Sequence, residues 1–400
     1  MYKKNFPIFA TLLSFALLVG IAPVQAYSKL QPSAIFPTLE AMANSKFLAD
    51  PSMIFIDAST GEVVYERNST QARRPASVLK LLSTTSALTY LDPSKSFTTS
   101  ISLGVESKTL VINGEFDPWI SLSQSQAIKM NRTSLPRLAF NAISAAKKAN
   151  NNSLRGLKIL YTGIFSQDAA NFEAFLHKRR VYAKFVRVTP SQAVEASGEP
   201  FIVSSSPPLS TMVEFALTWS DNLLAERLAR LASKASGNSF DDTGVNKTFH
   251  TVLTNFGIDP DLLEVSDGSG LSKKNRVTAR SIATLLMKIR NEAQYKPIYD
   301  GLPIGGVSGT LLKRFINTAP QAVGLVHAKT GTLNGTVSLA GFVDSGDRQY
   351  IFVAIADRIP RTSSAMNSAR NALDRIVGKL ALPIFPVIAS AQPSPEVSII

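Results

Sequence analysis

Residues 74–90, RPASVLKLLSTTSALTY, place a serine and a lysine three positions apart at the start of an apolar stretch. The apolar spacing predicts a largely buried helix over 77–90, and Pro75 suits the first turn of a helix. Side chains three apart on a helix share a face, so the pattern brings Ser77 beside Lys80. The unpaired N–H groups at a helix N-terminus favour negative charge. The stretch therefore predicts a serine nucleophile with an amine as its base.

An amine can accept a proton from serine only when it is neutral, and a free lysine is protonated at neutral pH. Leu81 and Leu82 follow Lys80 directly, which favours burial of the amine. Burial and a second nearby cation, which Lys329 could provide, both lower the pKa of a lysine. The alternative is that Lys80 is an ordinary helix lysine.

The spacing of serine and lysine alone is weakly specific, because both residues are common. Ser144 and Lys147 repeat it, but they lie in a polar, basic stretch that is typical of a solvated helix face. The motif at Ser77 is distinguished by its apolar surroundings.

A second motif, Ser220-Asp221-Asn222, lies between two apolar runs. Polar side chains in such a frame must find hydrogen-bond partners or cost stability. A similar triplet, Ser236-Gly237-Asn238, lies in a polar loop and indicates a turn. The alternative for the first triplet is that Ser220 or Asp221 only caps the following helix.

A third motif, Lys329-Thr330-Gly331, precedes a predicted strand pair. A lysine and a hydroxyl on a strand edge can bind a carboxylate, and glycine allows a backbone to approach closely. The alternative is that the glycine marks a bulge.

In this order, the three motifs form the known signature of penicillin-binding proteins and β-lactamases. The chain resembles the serine D-alanyl-D-alanine carboxypeptidases/endopeptidases, the low-molecular-mass class C penicillin-binding proteins. The resemblance covers roughly residues 53–90 and 208–357. Five blocks carry it: 74–82, 220–226, 267–276, 302–311 and 328–341. Residues 114–118 match only part of a glycine-rich Asp-Pro block, and the insert is short beside members with two extra domains.

The resemblance implies a mechanism of acyl transfer. Lys80 takes the proton of Ser77, which attacks the carbonyl of a D-Ala-D-Ala or D-Ala-diamino acid bond in peptidoglycan. Ser220 shuttles a proton to the leaving amine. The backbone N–H groups of Ser77 and Thr332 form the oxyanion hole.

The resemblance also assigns the binding residues and the partners. Asn222 holds the substrate amide, and Lys329 and Thr330 bind the terminal carboxylate. The expected partners are peptidoglycan stem peptides and β-lactam antibiotics, with no cofactor. Two alternatives are a β-lactamase, which needs an efficient deacylating base, and a non-catalytic wall-binding protein on an inactive scaffold.

The composition of the chain restricts the classes of binding partner further. The chain has 42 Lys+Arg against 29 Asp+Glu, a net charge of +13, and 45% apolar residues. Excess positive charge favours anionic membrane, cell-wall polymer or nucleic acid. Nucleic acid is the weakest of these, because no zinc knuckle or RNA-binding aromatic signature is visible. There is no cysteine, and the three histidines are widely spaced, so we expect no metal site.

The N-terminus predicts export. Lys3 and Lys4 precede an apolar segment, and Val24-Gln25-Ala26 is typical of a cleavage site. The alternative is an uncleaved membrane anchor. We expect the mature protein to be periplasmic or associated with the cell wall.

The predicted fold class is α+β. Strands at 53–57 and 62–66 and a strand pair at 336–343 and 350–356 would form one antiparallel sheet, flanked by helices and a helical block. The resemblance implies the transpeptidase fold shared by penicillin-binding proteins and serine β-lactamases. The predicted domains are a signal peptide (1–26), a split catalytic domain (27–92 and 200–388), an inserted β-rich accessory domain (93–199) and a disordered tail (389–400).

The insert holds a basic run, His177-Lys178-Arg179-Arg180, followed by Lys184 and Arg187. One hypothesis is contact with an anionic wall polymer or membrane surface. The alternative is a solvated strand and turn.

Overall fold

A computed structural model describes residues 35–382 of the chain. The predicted signal peptide at 1–26 and the predicted tail at 389–400 lie outside the described residues.

The main sheet joins both ends of the described chain. Its five strands are antiparallel and run in the order β2-β1-β10-β9-β8. The strands are β1 (Ser52–Asp57), β2 (Val63–Arg67), β8 (Val326–Leu333), β9 (Thr336–Ser345) and β10 (Arg348–Ala356). In the register of β1 and β10, Phe55 is opposite Phe352. All six residues of β1 are buried, as expected for a strand that is covered on both faces.

Helices cover both faces of this sheet or form a block beside it. They are α1 (Phe36–Ala43), α2 (Lys80–Tyr90), α7 (Leu209–Thr218), α8 (Asn222–Ala235), α9 (Asp242–Asn255), α10 (Ala279–Ile289), α11 (Lys296–Asp300) and α12 (Ser363–Ala381). Apolar residues of α2, α7, α8, α9 and α10 share one core with β1, β9 and β10. The predicted helical block beside an antiparallel sheet is therefore confirmed.

The insert between α2 and α7 has its own sheet, in the order β6-β5-β4-β3-β7. Its strands are β3 (Thr98–Gly104), β4 (Thr109–Gly114), β5 (Lys158–Thr162), β6 (Lys184–Arg187) and β7 (Ser197–Ser205). Strands β4, β5 and β6 are parallel, whereas β3 pairs antiparallel with β4 and with β7.

Four helices accompany the sheet of the insert. They are α3 (Gln124–Lys129), α4 (Leu135–Ala149), α5 (Ser166–His177) and α6 (Pro190–Ala196). Parallel strands need crossover connections, and helices usually provide them. The insert is β-rich as predicted, but α5 and most of its helical content were not predicted from the sequence. Residue 199 is the predicted end of the accessory domain, and strand β7 extends across it. The domain boundaries remain predictions.

Part of the basic run is packed locally at the end of α5. The Arg179 guanidinium lies 3.6 Å from the ring centre of Phe175 and 4.4 Å from that of Phe140. This contact is a cation–π interaction within the insert.

None of the helices within residues 35–382 combines the length and the apolar character that a bilayer-spanning helix needs.

A buried ion pair joins α12 to the segment before β8. The Arg314 Nε donates to both oxygens of Asp374 at 2.9 and 3.0 Å, and Thr318 Oγ1 donates to Asp374 Oδ2 at 3.2 Å. The Asp374 side chain is 2% exposed. Such a pair specifies where the segment packs, because either partner alone would be a buried and uncompensated charge.

We therefore predict that Asp374→Ala lowers the free energy of unfolding by about 3 kcal/mol, because it leaves Arg314 without its carboxylate. The exposed pair of Lys296 and Asp300 gives the matched control, and Asp300→Ala should cost less than about 1 kcal/mol. Urea unfolding measures both. Equal losses in the two variants would contradict the assigned role of Asp374.

Candidate active site

The turn that carries Ser77 is a short 3-10 helix, Ala76–Leu79, which leads directly into α2 at Lys80. Ala76 has a φ of +49°, a conformation that L-residues adopt rarely. Ser77 is half-buried. The predicted helix at 77–90 is confirmed, with its first turn tightened to the 3-10 form.

Strands β8 and β9 hold this turn from one side. Ser338 Oγ donates to the Pro75 carbonyl at 2.6 Å. Gly331 pairs with Ser338 in the sheet, and a Cβ at position 331 would lie 2.1 Å from Ser338 Oγ and 2.8 Å from the Pro75 carbonyl oxygen. Glycine at 331 therefore allows β8 to approach the turn of Ser77, rather than marking a bulge.

The Lys80 side chain is the centre of the site. It has no exposed surface, and its Nζ donates to three acceptors. These are Ser77 Oγ at 2.9 Å, Asn222 Oδ1 at 2.7 Å and the Ser269 carbonyl at 2.6 Å. The three N–H groups of one ammonium thus donate to Ser77, Asn222 and Ser269, which lie in three segments that are far apart in sequence.

Burial lowers the pKa of Lys80 to about 8, because an ammonium loses its hydration in the interior. The negative charges of Asp267, Asp221 and Glu226 oppose this shift. The result is an amine that is partly neutral near physiological pH. A group of this kind can both accept and return a proton.

Asp267 organises the loop that presents the Ser269 carbonyl to Lys80. Its Oδ1 accepts from the N–H groups of Ser269 at 2.8 Å and Gly270 at 2.6 Å. Gly270 has a φ of +83°, and a Cβ there would lie 1.9 Å from the Ala76 carbonyl oxygen. Only glycine lets the loop pack so closely against the turn of Ser77.

Glu226, on α8, anchors the same loop from the other side. Its Oε2 accepts from the Gly268 N–H at 2.5 Å. Residues 267–276 are one of the five blocks of the resemblance, but the motifs predict no role for Asp267 or Glu226. Bonds from side chains to a loop backbone leave no periodic pattern in a sequence, although an aspartate beside glycines is typical of a structured loop.

The second motif begins α8. Asp221 Oδ1 accepts from the Leu224 N–H at 2.9 Å and so caps the helix. Asn222, the first helical residue, reaches Lys80. The motif therefore both caps the helix, through Asp221, and contacts Lys80, through Asn222. Ser220 has a φ of +58°, and strain of this kind is concentrated at functional sites.

The third motif lies on β8, the edge strand of the main sheet, which was not among the four strands predicted for this sheet. Lys329 is fully buried, and its Nζ donates to the Thr330 carbonyl at 2.9 Å. Burial, and then repulsion from Lys80, hold the pKa of Lys329 well below its usual range. The Thr330 hydroxyl lies 2.7 Å from that of Thr310, and Thr332 is exposed.

The structure therefore gathers Ser77, Lys80 and Asn222 through direct hydrogen bonds. Lys329 is close enough to Lys80 for their charges to interact. No hydrogen bond within residues 35–382 joins the Ser220 hydroxyl to Ser77 or Lys80. Thr310 and Ser338 are contacts that the sequence analysis did not identify.

The chain matches a family of known proteins over residues 40–144 and 172–380, that of D-Ala-D-Ala carboxypeptidase 3 (S13). It is 27% identical over 411 residues to Carboxypeptidase DacB of Mycolicibacterium smegmatis, covering 90% of this chain and 87% of that protein. A D-alanyl-D-alanine carboxypeptidase of an Actinomadura species is 32% identical over 154 residues, which are 37% of this chain and 28% of that protein.

Solved structures show the same fold. Penicillin-binding protein 4 of Haemophilus influenzae superimposes with a TM-score of 0.65 at 16% identity, covering 86% of this chain and 98% of that one. The Bd3459 predatory endopeptidase of Bdellovibrio bacteriovorus gives a TM-score of 0.59 at 15% identity, covering 84% and 94%. The predicted penicillin-binding-protein fold is thereby confirmed. Because the family match also spans most of the sequence, the chain belongs to the D-Ala-D-Ala carboxypeptidase 3 (S13) family of serine hydrolases.

Proposed function

We propose that this protein is an exported serine DD-peptidase that forms an acyl-enzyme on Ser77. It cleaves D-Ala-D-Ala ends of peptidoglycan stems, D-Ala-diamino acid cross-links, or both, and β-lactams acylate the same serine. One observation carries the proposal: the Lys80 Nζ lies 2.9 Å from Ser77 Oγ, and burial has lowered the pKa of Lys80.

The reaction begins with transfer of the Ser77 hydroxyl proton to the neutral amine of Lys80. The alkoxide attacks the substrate carbonyl, and the backbone N–H groups of Ser77 and Thr332 stabilise the oxyanion, at about 3 kcal/mol each. Ser220 passes a proton to the leaving amine, and the C–N bond breaks. Water then hydrolyses the ester on Ser77.

The contacts of Asn222 and Lys329 refine their proposed roles. Asn222 Oδ1 is bound to Lys80, so its Nδ2 is the atom that is offered to the substrate amide carbonyl. Lys329 is buried, so the hydroxyls of Thr330 and Thr310 would contact the terminal carboxylate directly. The positive charge of Lys329 would act from behind them.

The site of action is proposed to be periplasmic or at the cell wall. The support is the leader-like sequence at 1–26 and the net charge of +13. Exposed cations at the end of α5 and in β6 would allow loose contact with an anionic wall polymer or membrane surface.

We predict that a fluorescent penicillin labels the wild type covalently and that Ser77→Ala abolishes the label, because the ester oxygen is missing. Labelled bands on a denaturing gel measure this. Ser144→Ala, at the exposed second Ser-x-x-Lys sequence on α4, is the matched control and should label normally. Labelling of Ser77→Ala would refute the nucleophile. Fast turnover without a lasting adduct would favour a β-lactamase.

We also predict a change in muropeptide mass on digestion of purified peptidoglycan. Loss of one D-alanine from pentapeptides indicates carboxypeptidase action, and conversion of cross-linked dimers to monomers indicates endopeptidase action. Mass spectrometry resolves both products, with Ser77→Ala as the inactive control. Binding of muropeptides without either product would support the non-catalytic alternative.

The second-order rate constant of acylation, which reports the ionisation of the free enzyme, should rise with pH through about 8 and then level off. Lys80 must be neutral to act as a base, and its pKa is lowered from the usual lysine value to about 8, so the reactive fraction grows as pH increases through that value. Stopped-flow acylation by a chromogenic cephalosporin between pH 6 and pH 10 measures the profile. A rate that is flat over this range would contradict the role of Lys80.

The Asp267→Asn variant tests the cause of this pKa. The Asp267 charge raises the pKa of Lys80, so removing it should move the midpoint of the profile to lower pH. Asparagine keeps an oxygen for the N–H groups of Ser269 and Gly270. Asp241→Asn, at the cap of α9, is the control and should leave the midpoint unchanged.

A further inference from the structure

A long groove runs between the insert and one face of α8. Three cavities of about 580, 570 and 440 Å³ meet at Phe116 and form it. We call it the α8 groove and define it by Phe116, Arg187, Leu223, Arg230, Lys234 and Phe240. It begins at Leu223, one residue after Asn222, and leads away from the site of Ser77.

The length of the groove matches that of a stem peptide. Leu223, Arg230 and Lys234 recur at helical spacing, so they lie along one face of α8. From Asn222 to Lys234 the helix rises about 18 Å. A pentapeptide in extended conformation spans about 17 Å. A substrate whose last residues lie at Ser77 and Asn222 can therefore place its first residues near Lys234.

Aromatic rings form the middle of the groove. The Phe116 ring centre lies 4.9 Å from that of Phe240 and 5.6 Å from that of Phe165. Phe116 has a φ of +63°, which is a strained conformation for a bulky residue. Phe116 lines all three cavities.

The charges of the groove favour an anion. Lys234 and Arg187 are exposed, and neither forms an ion pair with a carboxylate of residues 35–382. Five cationic and three acidic side chains line the three cavities, and Glu226 among the acidic ones is paired with Arg230. Asp241 accepts from the Gly244 N–H at 2.9 Å, and Glu115 accepts from the Thr98 N–H at 2.9 Å.

We propose that the α8 groove binds the sugar-proximal part of the peptidoglycan stem. Lys234 and Arg187 bind the free carboxylate of the stem's acidic residue, and the Phe116 and Phe240 rings pack against the stem residues between that carboxylate and the scissile bond. Carboxylates pair with lysine and arginine, and aromatic rings provide flat apolar surface. The inference rests on the proposed DD-peptidase function and deepens it, since it adds a subsite for the long natural substrate.

The test compares a long substrate with a short one. The long substrate is a disaccharide pentapeptide, and the short one is a diacetylated lysyl-D-Ala-D-Ala, which is too short to reach Lys234 from Ser77. In Lys234→Ala/Arg187→Ala, kcat/KM for the long substrate should fall about tenfold, mostly through KM, as expected for two exposed charge pairs. In the same variant, kcat/KM for the short substrate and the rate of penicillin acylation should stay unchanged.

Lys148→Ala is the matched control, because Lys148 is an exposed lysine of the insert on α4. It should behave as wild type on both substrates. Phe240→Ala should also lower kcat/KM for the long substrate and leave the short substrate unaffected. Because this variant removes a ring and no charge, it tests the contribution of ring packing by itself. The backbone at Phe116, which has a positive φ, is not changed by this variant.

Two results would overturn the inference while leaving the proposed function intact. In a double variant that penicillin still acylates, the first is an equal loss of kcat/KM on both substrates. The second is no loss of kcat/KM on either substrate. Wild-type protein that cleaves neither substrate would instead refute the DD-peptidase function and the subsite together.

Discussion

The burial of the Lys80 amine is the interaction on which the rest of the site depends. An ammonium that is removed from water needs an acceptor for each proton, and Ser77, Asn222 and the Ser269 carbonyl provide them. These acceptors come from the start of α2, the start of α8 and the loop at 267–271. Each segment must reach the same atom, so the position of Lys80 fixes how the helical block closes against the sheet. The same burial that requires these contacts also lowers the pKa to about 8, so architecture and reactivity have one cause.

Close backbone packing is the second requirement, and two glycines meet it. Gly270 brings the loop at 267–271 against the Ala76 carbonyl, and Gly331 brings β8 against the Pro75 carbonyl. Ser338 then binds that carbonyl from the next strand. The left-handed conformation of Ala76 persists because the surroundings on both sides leave the turn no room to relax. Ser77 is thus held by contacts with its neighbours' backbone rather than by its own side chain alone.

Periodicity and turn chemistry predicted much of this fold, and the limits have physical reasons. The hairpin of β9 and β10 was predicted from two mostly apolar runs around a turn, and the helix at 77–90 from its apolar spacing; both are confirmed. Helix α5 was not recognised, because its first turn is polar and three of its six apolar residues are alanines, which mark a buried face only weakly. The three motifs identified the residues around Lys80 but not their geometry. Nothing in the sequence indicates that Lys329 is fully buried with its Nζ on the Thr330 carbonyl, since that depends on how β8 packs against the turn of Ser77. Asp267 and Ser338 act on backbone atoms, which leave no pattern in the side chains.

The two buried lysines are not equivalent, and the difference gives the proposed reaction an order. Lys80 has three acceptors and three carboxylates within electrostatic reach, whereas Lys329 has one carbonyl and the repulsion of Lys80. Repulsion between two cations is reciprocal, so whichever amine is protonated lowers the pKa of the other. A substrate carboxylate that arrives beside Thr330 supplies the counter-charge that Lys329 lacks and raises the pKa of Lys329. The protonated Lys329 then lowers the pKa of Lys80. In the proposed mechanism, protonation of Lys329 on substrate binding therefore favours the neutral form of Lys80 when Ser77 needs a base.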